Sequence, residues 1–548
     1  MYVCQDPPHV VLDLRSSFTI PKVDSQKPVG LPSSLFINDA SPEPLPPVSS
    51  SFENLLRSMA SPTLETLPRE VLQHIALLTT STPSEPPTSA IRMIQTNKFV
   101  RHKLHSPPSD FHLYASIFHS KFDTAAISRR QDALPRNSIL AAELLQRYAV
   151  LERIRAREIH PLYLHSDLST ILNLIVESDG LDEWHLRKAG LVDFILDVSE
   201  KLVTFKEKTR ALSLLVLSLS LSRRYIDFQN AQWIQDLLVR IQPFAVSALA
   251  SRSPCFSNSS PTDILPGWAS TITSRHIKHS SSAAILLTLA LVEATPLQFP
   301  HHVIHQYAVN PLLRPSLADL EAFAKVKAPM VAEDLVEVDP SAPRCLYGDS
   351  CSGRSIVARS RSHDREFFRP GGNSKPGVAC ASDLVRGLWE GSWLYYPCLS
   401  EDVELETSSP SLICRKPLQL LLEETSSASS PVSSLGQMED LRADDGSEVT
   451  TVQSPVQFKG QTLTEHGEAS GYWRCAGEVR PNDGLLTFKM HRMYVEDSTW
   501  TFEAFIHYDT VLVGRCWSGP SLQASSCRGI FCLSRVSAVS GGMVQEDL

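Results

Sequence analysis

The sequence predicts a multidomain α + β protein: a helical N-terminal module, an α-helical body and a C-terminal antiparallel β-barrel. Three observations predict this fold class. Between Leu67 and about Val338, apolar residues recur at helical spacing. After Gly471 the period drops to two, in short runs separated by turn residues. Stretches rich in Pro, Ser and acidic residues divide these regions, and their composition cannot bury enough apolar surface to offset the entropy of ordering them. A chain of 548 residues with 42% hydrophobic and 20% charged content has material for two to four domains with real cores.

Residues 1–60, with runs such as SPEPLPPVSSS, read as a disordered leader. A helical module follows over 61–130. Leu67-Pro68 marks a helix start, because a proline in the first turn sacrifices no helical hydrogen bond and its fixed φ suits the helix. Val71, Leu72, Ile75 and Leu78 then gather on one stripe, while Arg69, Gln73 and His74 point elsewhere. A second helix runs through AIRMIQTNKFVRHKL after the insert Ser81 to Ser89, which loop-closure entropy tolerates at little cost.

Residues 131–338 form the α-helical body. AELLQRYAVLERIRARE places Leu144, Leu145, Tyr148, Leu151 and Ile154 on one face, and its charged residues read as a solvated face. The apolar runs Ala211 to Ser222 and Ala283 to Val292 are too short to span a membrane and are expected to be buried helices. The helix pairs allow either an irregular solenoid or a compact helical domain; no fixed repeat period favours the first. Residues 339–383 carry Gly- and Pro-broken patterns and are expected to be an irregular linker.

The β-barrel is expected over 384–540, opening with GLWEGSWLYY and interrupted by a disordered acidic, Ser-rich insertion at 401–454, in which only SLICRKPLQLLLEE has strand or helix potential. GYWRCAGEVR alternates, Pro481 to Gly484 turns the chain, and LLTFKMHR returns: a hairpin. TWTFEAFIHY, VLVGRCW and GIFCLSR add strands, with Asp509-Thr510 a tight turn between two of them. Large residues such as Trp389, Trp393, Phe488 and Phe502 point to a filled interior rather than a hollow one.

The segment from Thr63 to Asp123 resembles the F-box, whose pattern opens with Leu-Pro and an acidic residue and closes with a helix like AIRMIQTNKF. Lys98 matches the family's basic position, the insert separates the two halves, and Phe99 stands where the family carries a late tryptophan. With the helical middle and the GLWEGSW segment, the chain is similar to F-box proteins of mushroom-forming fungi. That resemblance implies docking on a Skp-type linker, and through it on a cullin-RING core, with Leu67, Pro68, Val71, Leu72, Ile75, Ile91, Ile94 and Phe99 as the docking residues. It also implies a lipocalin-like barrel that presents a protein substrate. Gly387-Leu388-Trp389 has the Gly-x-Trp form that opens such barrels, with Trp389 closing one end and Arg535 the late arginine that packs over it.

Catalysis has no visible seat in the sequence. No Walker loop, Gly-x-Ser-x-Gly turn, His-Glu-x-x-His or kinase set is present. His301, His302 and His305 lack a carboxylate partner, and Cys345, Cys351 and His363 fit no zinc spacing, so neither a metal nor a cofactor is expected. Eleven cysteines, an odd number without short paired spacing, argue for a reducing compartment and against a disulfide framework. None of them has a neighbourhood that would activate a thiol. The formal charge of −9 and scattered basic residues supply no field for nucleic acid. The N-terminus lacks the basic start and apolar core of a secretory signal, so the expected location is cytoplasmic or nuclear. Two functions from different classes follow: a non-catalytic substrate receptor of an SCF-type ubiquitin ligase, or a helical scaffold whose barrel holds an apolar ligand.

Overall fold

The computed structural model describes residues 64–80, 90, 92–93, 97–105, 111–130, 135–250, 273–294, 359–367, 385–396, 414–425, 455–464, 466–467, 471–480, 484–493, 499–518 and 528–536. The leader expected at 1–60 and the insert at 81–89 therefore lie outside the described residues, as does most of the 401–454 insertion, but Cys414–Glu424, within the stretch expected to be disordered, is a barrel strand whose Leu418, Leu420 and Leu422 are buried.

Thirteen α-helices are described in chain order: α1 Arg69–Leu78, α2 Lys98–His105, α3 His112–Lys121, α4 Ala125–Arg130, α5 Asn137–Ala156, α6 Leu164–Glu177, α7 Leu181–Ala189, α8 Leu191–Ser199, α9 Glu207–Ser220, α10 Arg223–Asp227, α11 Ala231–Ala250, α12 Thr273–Ala294 and α13 Arg359–Phe367. The two most apolar segments become α9 and α12, which pack on each other with Leu212, Val216, Leu287 and Ala290 buried. α11 and α10 also lie against α12, while α6 and α8 lie against α9. α13 returns to α4 and α6, far back in the sequence, a kind of contact that nearest-neighbour stacking of repeats does not make.

Eight strands follow: β1 Gly387–Tyr396, β2 Cys414–Glu424, β3 Val456–Gln461, β4 Trp473–Val479, β5 Leu485–Arg492, β6 Thr499–His507, β7 Val511–Ser518 and β8 Arg528–Arg535. Every neighbouring pair is antiparallel in sequence order, and β8 pairs back onto β1, so the sheet closes into a barrel without an edge. Closure at this seam depends on Gly391. A Cβ there would stand 2.0 Å from the Cys532 carbonyl oxygen on β8. We expect Gly391→Ala to destabilise the barrel by about 1–3 kcal/mol through overpacking, read as a lower unfolding midpoint in tryptophan fluorescence; an unchanged midpoint would show that the seam can relax.

Strand periodicity places alternate side chains in two different cores. On β8, Phe531 and Leu533 point into the barrel, whereas Ile530 and Cys532 pack with the helices. Leu512 and Val513 on β7, and Trp393 and Leu394 on β1, divide the same way. These three strands meet α12, and β8 also meets α11. Burial on both faces explains why VLVG and GIFCL read as nearly unbroken apolar runs.

Two expectations about the helices are corrected. The linker expected at 339–383 contains α13, whose sequence RSRSHDREF has almost no apolar residues. Polar contacts hold it: Asp364 pairs with Arg129 and Arg130, Ser360 with Asp179, and Glu366 with the end of β6. Hydrophobic periodicity cannot reveal a helix anchored this way. The second correction concerns α5, where Arg147 does not join a solvated face but is fully buried. It sits three residues after Leu144 and four before Leu151, on the buried stripe itself. Its guanidinium pairs with Glu177, with Asp182 at 3.3 Å and with Glu143 at 3.1 Å, and lies 4.9 and 5.1 Å from the ring centres of Phe118 and Phe122. Burial opposes its charge, but these carboxylates keep it protonated.

The same junction ties the N-terminal module to the body. Asp123, just after α3, accepts the backbone N–H groups of Asp179, Leu181 and Asp182 at the start of α7, where an anion meets the positive helix end. Asp182 in turn accepts the N–H of Asp123 at 2.9 Å. His185 on α7 is fully buried, and its Nε2–H donates to the Lys121 carbonyl at 2.8 Å. Burial brings the His185 pKa down to about 4. The unfolded chain therefore takes up this proton near pH 6.5 and the folded chain only near pH 4, so stability is full above 6.5 and falls as the pH drops between the two values. The expected loss is on the order of 3 kcal/mol, and His185→Met should flatten that part of a plot of unfolding midpoint against pH.

Candidate docking face and barrel closure

The chain entering α1 is fixed by its own turn. Pro68 occupies the N-cap position, one residue before the helix, and its carbonyl accepts the Leu72 N–H at 3.1 Å. Asn97 caps α2, its side chain accepting the Phe99 N–H at 2.8 Å. Lys103 on α2 then reaches back and donates to the Leu67 carbonyl at 2.8 Å, joining the second helix to the Leu-Pro start of the first.

The side chains of α1 divide between two faces. Leu72 and Ala76 are completely buried, in one core with Val100 and Leu104 of α2 and with α3. Val71, Ile75 and Leu78, at i, i+4 and i+7, share the other face. Val71 is 42% exposed and Leu78 58%, while Ile75 is partly buried. Phe99 on α2 is 53% exposed, with the Lys98 ammonium 5.3 Å from its ring centre, and Leu64 is 47% exposed. Of the docking residues expected from the sequence, Val71, Pro68 and Phe99 are thus exposed, Leu67 and Ile75 are partly buried, and Leu72 is internal. Ile91 and Ile94 lie outside the described residues. Leu78 belongs to the exposed stripe, and its spacing from Val71 already placed it there.

At the barrel opening, the structure brings the Gly-x-Trp motif and the late arginine together. Trp389 on β1 is fully buried, and its indole N–H donates to the Val385 carbonyl at 2.7 Å. Its partner in the β1–β8 register is Arg535. The Arg535 guanidinium nitrogen Nε lies 3.1 Å from where a Cβ on Gly387 would stand, and Gly387 has a φ of +136°, so glycine provides both the space and the backbone angle. Deeper in, Phe488 stacks on Phe502 with ring centres 4.7 Å apart, Phe531 meets Phe502 edge-on at 5.1 Å, and Trp393 meets Trp500 at 4.8 Å. The interior is filled with side chains.

The cysteines described in this region are inert. Burial pushes the Cys475 thiol up to about 12 and raises those of Cys516 and Cys532. His363, once set beside Cys345 and Cys351, lies on α13 with Nδ1 3.2 Å from the Tyr508 hydroxyl; the two cysteines and the His301, His302 and His305 cluster lie outside the described residues. Among the described residues no helix is long and apolar enough to cross a membrane.

No protein-family model, curated protein or solved structure matches this chain. The functional reading therefore rests on the residues themselves.

Proposed function

We propose that this chain is the substrate-recognition subunit of an SCF-type ubiquitin ligase, working in the cytoplasm or nucleus without catalytic residues of its own. α1 and α2 act as an F-box and dock on a Skp-type linker, and the helical body with its lipocalin-like barrel presents a protein target. The observation that carries this reading is the exposed apolar stripe of Val71 and Leu78, on a helix whose neighbouring face is already anchored by Leu72 and Ala76. Exposed large apolar side chains that share a helix face suit a partner. Such a receptor works by proximity: it raises the effective concentration of a target lysine near a conjugating enzyme recruited by the cullin-RING core.

Affinity purification of the tagged full chain tests the proposal. The linker and a cullin should both be recovered. Recovery of the linker alone would leave an F-box protein outside the ligase, and recovery of neither would remove the reading. The alternative, a barrel that holds an apolar ligand, is disfavoured by the ring-filled interior, since such a ligand needs a hollow pocket.

A further inference from the structure

Three elements distant in sequence converge where the barrel meets the helical body. His279 comes from α12, Glu366 from α13 and His507 from the end of β6, and one ligand atom from each lies within 4.8 Å of the others. Glu366 Oε1 is 2.7 Å from His507 Nδ1 and 3.4 Å from His279 Nδ1. Adjacent ligands on a tetrahedral zinc ion, with bonds of about 2.0–2.2 Å, stand about 3.3 Å apart. The two Glu366–imidazole separations, 2.7 and 3.4 Å, lie on either side of that spacing.

Its surroundings are organised as metal ligands require. Glu366 Oε2 accepts the Tyr508 N–H at 2.6 Å, which leaves Oε1 directed at the two imidazoles. His507 Nε2 is bonded to Ser282 Oγ at 2.9 Å, which fixes the ring with Nδ1 facing Glu366 Oε1 at 2.7 Å, a contact that a bound ion would replace. The turn after β6 supports this arrangement. Its central residues are Tyr508 and Asp509, at φ of +53° and +60°, and the Thr510 N–H closes it on the His507 carbonyl; the turn is one residue earlier than the Asp509-Thr510 position expected from the sequence. Tyrosine rarely adopts this conformation, and here the carboxylate of Glu366 holds its N–H and His363 faces its hydroxyl.

We propose that His279, Glu366 and His507 form a three-ligand site for a divalent metal of the zinc class, its fourth position open to water, which clasps α12 and α13 to the barrel. Two imidazoles and one carboxylate suit zinc and its neighbours rather than magnesium or calcium, which take oxygen ligands. The three ligands belong to three separate elements, so a bound ion stabilises the junction by linkage.

The test uses the full chain, stripped with a chelator and titrated with zinc against a competing indicator dye. One tight equivalent should bind, and zinc should raise the unfolding midpoint. His279→Ala should weaken that binding about tenfold or more while the far-ultraviolet circular dichroism stays unchanged, because His279 is the more exposed of the two imidazoles, with 14% of its side chain accessible. Glu366→Gln should have the same effect, and magnesium should not replace zinc. No tight zinc uptake by the folded wild type would overturn the proposal. So would a folded His279→Ala chain that binds zinc as tightly as the wild type, since the ion would then sit elsewhere.

Discussion

Arg147→Ala is expected to cost about 3–5 kcal/mol of stability, the largest effect of any single substitution considered for this chain. The reason is the company Arg147 keeps. Glu177 and Asp182 are themselves fully buried, and burial already pushes both carboxyls up, with Arg147 the main group opposing it. Removing the guanidinium leaves Asp182 without its cation and Glu177 with only Arg130 at 3.4 Å, and also removes the cation beside the Phe118 and Phe122 rings. Chemical denaturation followed by circular dichroism measures the loss. A triple variant, Arg147→Met with Glu177→Gln and Asp182→Asn, should recover much of it, because charge and partner leave together. If Arg147→Ala unfolds at the wild-type midpoint, the network is ornamental.

The second large effect concerns binding. Val71→Asp with Leu78→Asp should weaken capture of a Skp-type linker by roughly a hundredfold or more. Each apolar side chain buried at an interface contributes about 1.5–3 kcal/mol, and about 1.4 kcal/mol is a factor of ten in affinity. Both positions are exposed, so the free chain should keep its fold. Leu72→Ala is a poor probe of the same question: its side chain lies in the internal core, and its loss would act through stability.

The contrast between Leu72 and Val71 shows where the sequence is silent. Val71, Leu72, Ile75 and Leu78 form one oily run by spacing, yet the helix turns Leu72 inward with Ala76 and leaves Val71 and Leu78 outside. A helix with two apolar faces needs its neighbours to decide which face is used, and those neighbours come from α2 and α3. Most strands are more legible, except β2, which lies within the acidic, Ser-rich stretch expected to be disordered, and β3, whose VQFKGQ run is short and polar. Period-two alternation and the Pro481–Gly484 turn predict the β4–β5 hairpin, whose register pairs Cys475 with Met490, and Trp389 and Arg535 are register partners across the closing seam. α13 escaped notice because ion pairs anchor it, and His279, Glu366 and His507 because only the tertiary fold brings them together.

The most direct test of the central claim is a calorimetric titration of purified Skp-type linker into the full chain. Saturable one-to-one binding by the wild type, lost in the Val71→Asp, Leu78→Asp double variant, is the predicted result. A folded wild-type chain that gives no heat and no complex, or a double variant that binds as the wild type does, would contradict it.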